Sequence, residues 1–318
     1  GVQEWLWIIH DDCAPQPTAL EALLAAVTER PNVVMAGPKL LGWHDRSHLL
    51  EVGVSIAANG ARWTGLEPDE YDQGQHDGVH EVLSVSTAGA LIRRDVFEEL
   101  GGFDNNLALF RDDVDFGWRV RVAGHSIICV SDATAFHAQA AANERRSVDV
   151  EGAFLHRPHL LDRRNSAYVL LANASWWLLP ALTVQILASA LVRAAGYLFA
   201  KLPGYASDEL LAVGALFLKP NELIQARRVR RTKRLIPARV VRPFIPSAIQ
   251  QLRTNLSRGI EALRERILRE EIEDAPITDH ISDDEDLLAP IKPLQWRSLL
   301  LRPHIIAALA MALFTIVW

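Results

Sequence analysis

The apolar run Trp5-Leu6-Trp7-Ile8-Ile9 stops abruptly at His10-Asp11-Asp12. A short aromatic and β-branched run with that ending reads as a buried parallel strand. It predicts an α/β fold that delivers carboxylates to the carboxyl edge of a sheet, where open α/β folds bind ligands. Pro15 and Pro17 then break the chain before the helical pattern Ala19-Leu20-Leu23-Leu24-Val27. Carboxylates at such an edge suit a divalent cation bridging a diphosphate, because hard oxygen ligands match Mg2+ or Mn2+. An acidic turn that caps the next helix is the competing reading.

A second acidic constellation lies about a hundred residues on. Asp104 follows Gly101-Gly102-Phe103, and then comes Arg111-Asp112-Asp113-Val114-Asp115-Phe116-Gly117-Trp118-Arg119. Ahead of it stands Ser86-Thr87-Ala88-Gly89-Ala90, followed by Leu91 to Phe97. The order is a small-residue strand end, a short helix closed by Gly101, a loop, and carboxylates opening a helix that runs to Ala123 with Gly124 as its stop. Over roughly Glu4 to Asn173 the sequence resembles the inverting glycosyltransferases of family two, which have the GT-A fold. The first acidic turn is similar to that family's metal-binding DxD segment, and the second stretch to its "GGFD … EDVD … R … G" acceptor segment.

The resemblance implies a partial GT-A (Rossmann-like) nucleotide-sugar transferase domain with two separated acidic sites. A metal ion neutralises the charge left on the departing diphosphate, and a carboxylate across the sugar takes the proton of the incoming hydroxyl. It makes Asp12 the metal ligand and Asp113 the catalytic base, with Asp112, where the family has Glu, hydrogen-bonding the acceptor or orienting the loop. N-capping of the following helix is the alternative for Asp113. Asp115 reads as a solvated or structural carboxylate of the first helical turn. His137, expected beyond the end of the strand Ser126–Val130, matches a histidine that completes the metal site in several relatives; a polar loop residue is the alternative. His10 replaces the family's first metal-site Asp: either the imidazole ligates the divalent metal, Mn2+ or Mg2+, with altered preference, or the site is weakened and Asp11 and Asp12 do the work. Asp11 and the pair Arg163-Arg164 fall to the donor diphosphate, although a surface ion pair accounts equally well for the arginines. Gly89, Ala90, Asp104 and Trp118 fall on the acceptor and sugar side. Trp63 is a further stacking candidate, and core packing competes for Trp118.

The expected division is a catalytic part over 1–173, membrane-associated helices with a basic stretch over 174–245, a long charged helix and acidic linker over 246–293, and the start of a transmembrane helix over 294–318. The chain begins one strand before the metal motif, so the βαβα half that holds the nucleotide base in the family is expected to lie outside it. That half missing, the segment alone should not bind nucleotide sugars. Two cysteines in 318 residues suggest no disulfide framework, and a net charge of −6 argues against nucleic acid as a partner. Trp176 to Val192 carries no charge, but seventeen helical residues span only about 26 Å. The basic run Arg227 to Arg234 and a cytosolic donor place both flanks in one compartment. In-plane helices or a re-entering hairpin are therefore expected, with the arginines against anionic headgroups. A solvated helix face or an RNA-binding patch is the alternative for that run. Glu51 to Gly65 reads as a β-hairpin and Glu67 to His80 as a flexible loop that closes over substrate. Together these readings describe a metal-dependent inverting transferase at the cytoplasmic side of the cell membrane. Its partners would be a nucleotide-sugar donor, a cell-envelope glycan or lipid-linked acceptor, and membrane lipids. A catalytically degenerate GT-A module that scaffolds envelope assembly is the rival.

Overall fold

The computed structural model describes residues 3–67, 69–138 and 157–247, with Gln250, Gln251 and Thr254 beyond them. The opening apolar run forms β1 (Trp5–Trp7), and the acidic turn leads to β2 (Cys13–Pro15). Helix α1 (Ala19–Thr28) buries Leu23 and Val27 beneath β3 (Val33–Gly42), which is buried along nearly its whole length. β4 (Leu49–Glu51) follows, then the hairpin β5 (Ser55–Ile56) and β6 (Arg62–Trp63), then β7 (Val79–Glu81) and β8 (Leu91–Arg93). Helices α2 (Arg94–Glu99) and α3 (Asp112–Val122) precede the long strand β9 (Ser126–His137).

The main sheet runs β1-β8-β3-β9-β2, with β4 added to β3 and β7 to β9. Its centre is the parallel pair β3–β9, from Val33 beside Ser126 to Gly42 beside His137. β1 departs from the expected buried strand in a parallel neighbourhood. It bonds antiparallel to β8, and its residues are only half-buried. The reason is topological: β8 inserts between β1 and β3 and runs against both, so β1 keeps the direction of β3 without touching it. β9 also runs past Val130, which makes His137 the last residue of the strand rather than a residue beyond it. There Cys13 pairs with His137, and this register lays the His10-Asp11-Asp12 turn beside the imidazole.

Helix α3 matches its expected span, with Gly124 at φ +94° ending it as Gly101 at φ +81° ends α2. Gly117 lets α3 approach the sheet, since a Cβ there would lie 2.5 Å from the Leu83 carbonyl oxygen. The Glu67–His80 segment is not the free loop expected. Buried Lys39 grips Asp72 at 2.7 Å and Asp77 at 2.9 Å, His76 meets Glu70 at 2.8 Å, and the segment ends in β7.

Helices α4 (Pro158–Asn173), α5 (Leu179–Phe199), α6 (Pro203–Leu218) and α7 (Pro220–Lys233) follow, with a 3-10 segment over Ala238–Phe244. No boundary falls at Asn173. Tyr168 and Val169 of α4, Ile186 of α5, Leu216 of α6 and Val241 share one buried cluster with Val114 and Trp118 of α3. Gly1–Ser247 is accordingly one unit and Ala248–Trp318 another. The expected long helix, acidic linker and terminal membrane helix lie outside the described residues. From Trp176 to Phe199 the chain is helical, with a mean hydropathy of 1.7, long and apolar enough to cross a membrane by length and composition.

Candidate metal centre and acidic cleft

The strand register gathers three groups from distant parts of the chain. Ligand atoms of His10, Asp12 and His137 all lie within 4.8 Å of one another. His137 Nε2 stands 3.2 Å from Asp12 Oδ1, and His10 Nδ1 stands 4.0 Å from the same oxygen. The other nitrogen of His10, Nε2, is 2.8 Å from Thr87 Oγ1. With its proton toward Thr87, His10 presents the Nδ1 lone pair to Asp12, the outer-shell arrangement common to metal-binding histidines. Burial and the neighbouring His137 lower the pKa of His10, outweighing Asp12, Asp113 and Asp11. A neutral imidazole is the form that ligates. Two imidazoles and a carboxylate suit a transition ion, Mn2+ among them, better than Ca2+, whose ligands are all oxygens. Asp11 is exposed at the turn next to this cluster.

Asp113 of the second acidic motif lies near enough for its charge to act on His10. Its approach depends on unusual backbone. Phe110 and Arg111 adopt φ of +63° and +68°, a left-handed pair of non-glycine residues directly before α3. Fully buried Asn165 holds this turn by donating to the carbonyls of Leu109 and Phe110, and Arg111 is anchored by Asp162 at 2.8 Å. Both oxygens of Asp113 are engaged: Oδ1 accepts the Val114 N–H at 2.7 Å, and Oδ2 pairs with Arg62 at 2.7 Å. Arg62 also makes a two-pronged contact with Glu51, Nε at 3.0 Å and Nη2 at 3.1 Å. Asp112 is different. Burial and then the charge of Asp113 push its carboxyl up to about 7.

Sequence reasoning missed Arg62, Glu51, Thr87 and Asn165. Arg62 and Glu51 sit in short strands without a motif. Asn165 adjoins the Arg163-Arg164 pair that drew attention instead.

Several expected site residues turn elsewhere. Arg163 pairs with Glu209 of α6 at 3.0 Å, while Arg164 donates to the Asn106 carbonyl and lies 3.6 Å from Glu222 of α7. Both guanidiniums are engaged by neighbouring helices because their α4 face is covered, which corrects the diphosphate assignment. Trp118 is buried in the cluster between α3 and α4, so it packs rather than stacks on a sugar. Trp63 is half-buried on β6 opposite Ser55. Gly89 abuts Pro38, where a Cβ would come within 2.7 Å, and buried Ala90 accepts the Ile8 N–H through its carbonyl. Asp104 accepts from Tyr168 at 2.8 Å and from Arg230 at 2.7 Å, which makes it a brace rather than an open acceptor contact. Asp115 is fully buried between Arg119, Arg230 and Asn173, not solvated.

Comparison with known proteins bears on the first half of the chain. The model of the glycosyltransferase-like family 2 matches residues 1–149. Residues 1–149, just under half of the chain, are thus similar to the family 2 glycosyltransferases. The O-antigen biosynthesis protein RfbC of Myxococcus xanthus is 28% identical over 148 residues, 45% of this chain and 11% of that protein. The N-acetylglucosaminyl-diphospho-decaprenol L-rhamnosyltransferase of Mycobacterium tuberculosis is 27% identical over 201 residues, 56% of this chain and 59% of that protein. The chain thus spans about a tenth of the first relative and little more than half of the second. A crystal structure of GalNAc-T7 with UDP, GalNAc and Mn2+ aligns with 52% of this chain and 31% of its own, at 14% identity and a TM-score of 0.37.

Proposed function

We propose that this family 2 segment forms the metal and acceptor side of an inverting sugar transfer. The donor would be a nucleotide-diphosphate sugar and the acceptor a cell-envelope glycan or lipid-linked sugar, the acceptor class named in the rhamnosyltransferase relative. One observation carries the reading: Asp113, about a hundred residues on from the His10-Asp11-Asp12 turn of the His10–Asp12–His137 cluster, lies near enough to it for its charge to act on His10. In this reading His10, Asp12 and His137 hold a divalent ion, and Asp11 stands beside the donor diphosphate. When bound, that ion supplies Lewis-acid neutralisation of the leaving diphosphate. Asp113 takes the proton of the acceptor hydroxyl. Arg62 and the Val114 N–H fix its direction, while Asp112 keeps a proton up to about pH 7 beside it.

The engagement of both Asp113 oxygens favours a second reading, in which the module is a scaffold without transfer activity. Asp113→Asn in the intact protein separates the two. Transfer from a panel of nucleotide sugars, assayed with Mn2+ and with Mg2+, should fall at least a hundredfold while the circular-dichroism spectrum stays native, although loss of the charge opposite Arg62 lowers the unfolding midpoint. A scaffold would support envelope assembly unchanged.

A lipid-linked acceptor agrees with the surface of α5 and α6. Trp176, Trp177, Leu191, Leu198, Phe199 and Leu218 are exposed there, more apolar surface than a soluble domain ordinarily presents. Arg193 of α5 and Arg163 of α4 meet at buried Glu209 of α6, which ties the hairpin along the catalytic fold. This favours docking in the plane of the membrane, on its cytoplasmic side, over a crossing. Sedimentation with anionic vesicles should drop severalfold for Leu198→Ser/Phe199→Ser, and equal sedimentation would remove the membrane from this reading.

A further inference from the structure

Between the Gly101–Asn106 loop and α7 lies a cavity of about 300 Å3 that no residue of the metal cluster lines. Arg119 and Arg230 form part of its wall, and they are only 8% and 5% exposed. Their hydrogen bonds do not balance. Arg119 donates through Nε to Asp115 and through Nη1 to the Leu100 carbonyl, yet its buried Nη2 has no partner. Arg230 gives Nη2 to both Asp104 and Asp115, and its buried Nε has none. The two carboxylates cannot make up the difference, since Asp104 also accepts from Tyr168 and Asn106, and Asp115 from Asn173. Native interiors rarely leave such donors unmatched. Exposed Lys233 and Gln225 add a third cation and an amide at the rim.

We propose that this cavity is a second ligand site, separate from the transfer cleft, that takes a phosphoryl group. A tetrahedral oxyanion offers acceptor oxygens in several directions at once, and bonds from guanidinium to phosphate are charge-assisted. A sugar hydroxyl would satisfy one donor at a time. The phosphoryl group can come from a soluble phosphate ester or from a lipid headgroup.

The test uses the intact protein in EDTA, which removes the metal centre from the measurement. Inorganic phosphate and glycerol 3-phosphate should bind saturably by calorimetry and raise the unfolding temperature. Val229→Trp fills the cavity from an exposed wall position, and Lys233→Glu reverses the charge at the rim. Each should weaken binding at least tenfold without altering the unfolding temperature of the phosphate-free protein. If phosphatidylglycerol vesicles, but neither soluble phosphate, bind in a manner sensitive to Val229→Trp, the source is a headgroup and the site stands. No binding in any arm, or equal binding by wild type and both variants, overturns the proposal and leaves a water-filled cavity.

Discussion

Replacing Arg230 by Met tests whether the basic run of α7 is a structural element or a surface charge patch. Arg230 Nη2 lies 2.7 Å from Asp104 Oδ2 and 2.7 Å from Asp115 Oδ1, and Asp115 is fully buried. Removing one partner of a buried ion pair costs about 3–5 kcal/mol, because the remaining charge is left uncompensated. Here Asp115 keeps Arg119 at 2.8 Å and Asn173 at 2.7 Å, and Asp104 keeps Tyr168 at 2.8 Å. The loss should therefore sit at the lower end, about 3 kcal/mol, a large part of the roughly 5–15 kcal/mol that holds a domain together. Exposed Arg231, one residue on, should cost within about 0.5 kcal/mol as Met. Urea unfolding of the intact protein at pH 7 measures both.

The pH dependence gives a second signature of the same network. Burial alone would raise the Asp115 carboxyl, but Arg119 and Arg230 outweigh it and hold it below the usual carboxylate range. A depressed carboxyl contributes stability above its unfolded pKa and loses it as pH falls through the folded one. Without Arg230 the folded pKa rises, so the gap between variant and wild type should narrow as the pH falls through the carboxylate range. Asp115→Asn in the Arg230→Met background should recover part of the loss. A cost under about 1 kcal/mol, or equal costs for Arg230→Met and Arg231→Met, would refute the reasoning.

Three further outcomes are expected. Thr87→Val removes the hydroxyl that orients His10 and should weaken Mn2+ binding about 10- to 100-fold by calorimetry, with His137→Ala abolishing it; unchanged affinity in Thr87→Val would remove His10 from the ligand set. Asp112, raised from 3.8 to about 7, contributes stability that is present below the unfolded value and lost as pH rises toward 7. Asp112→Asn should therefore stabilise the protein more at pH 8 than at pH 5, and an equal effect at the two pH values would show the carboxyl to be unperturbed. Gly117→Ala forces a methyl toward the Leu83 carbonyl and should destabilise by roughly 1–3 kcal/mol in a thermal melt, whereas a neutral effect would mean that α3 moves freely.

Much of the catalytic half was legible because its signals are local. Gly101 and Gly124 end their helices at positive φ, as their positions after apolar-periodic segments implied. The segment Glu51 to Gly65, read as a hairpin, contains the paired strands β5 and β6. The nearness of His137 to Asp12 came from resemblance alone, since no periodicity can show that β9 runs antiparallel to β2 with His137 opposite Cys13. Which face an aromatic residue takes was not legible either: Trp118 and Trp176 are the same residue type, one in the core and one on the surface.

The basic run shows why a charge count misleads in a helix. Arg227, Arg230 and Arg234 recur at spacings of three and four, the period of one helical face. On that face Arg227 donates to the carbonyls of Leu171 and Ala174, Arg230 to the two aspartates, and Arg234 to the Asn173 carbonyl. They close the end of α4 and neutralise the interior of α3, so they offer no exposed charge to RNA or a bilayer, and Arg230 keeps one unmatched buried donor, Nε. Arg228, Arg231 and Lys233 remain exposed. Only this second set presents exposed charge to a membrane surface. The six cations within eight residues therefore do two jobs, and the recurrence of Arg227, Arg230 and Arg234 at helical spacing is the signal that could have separated them.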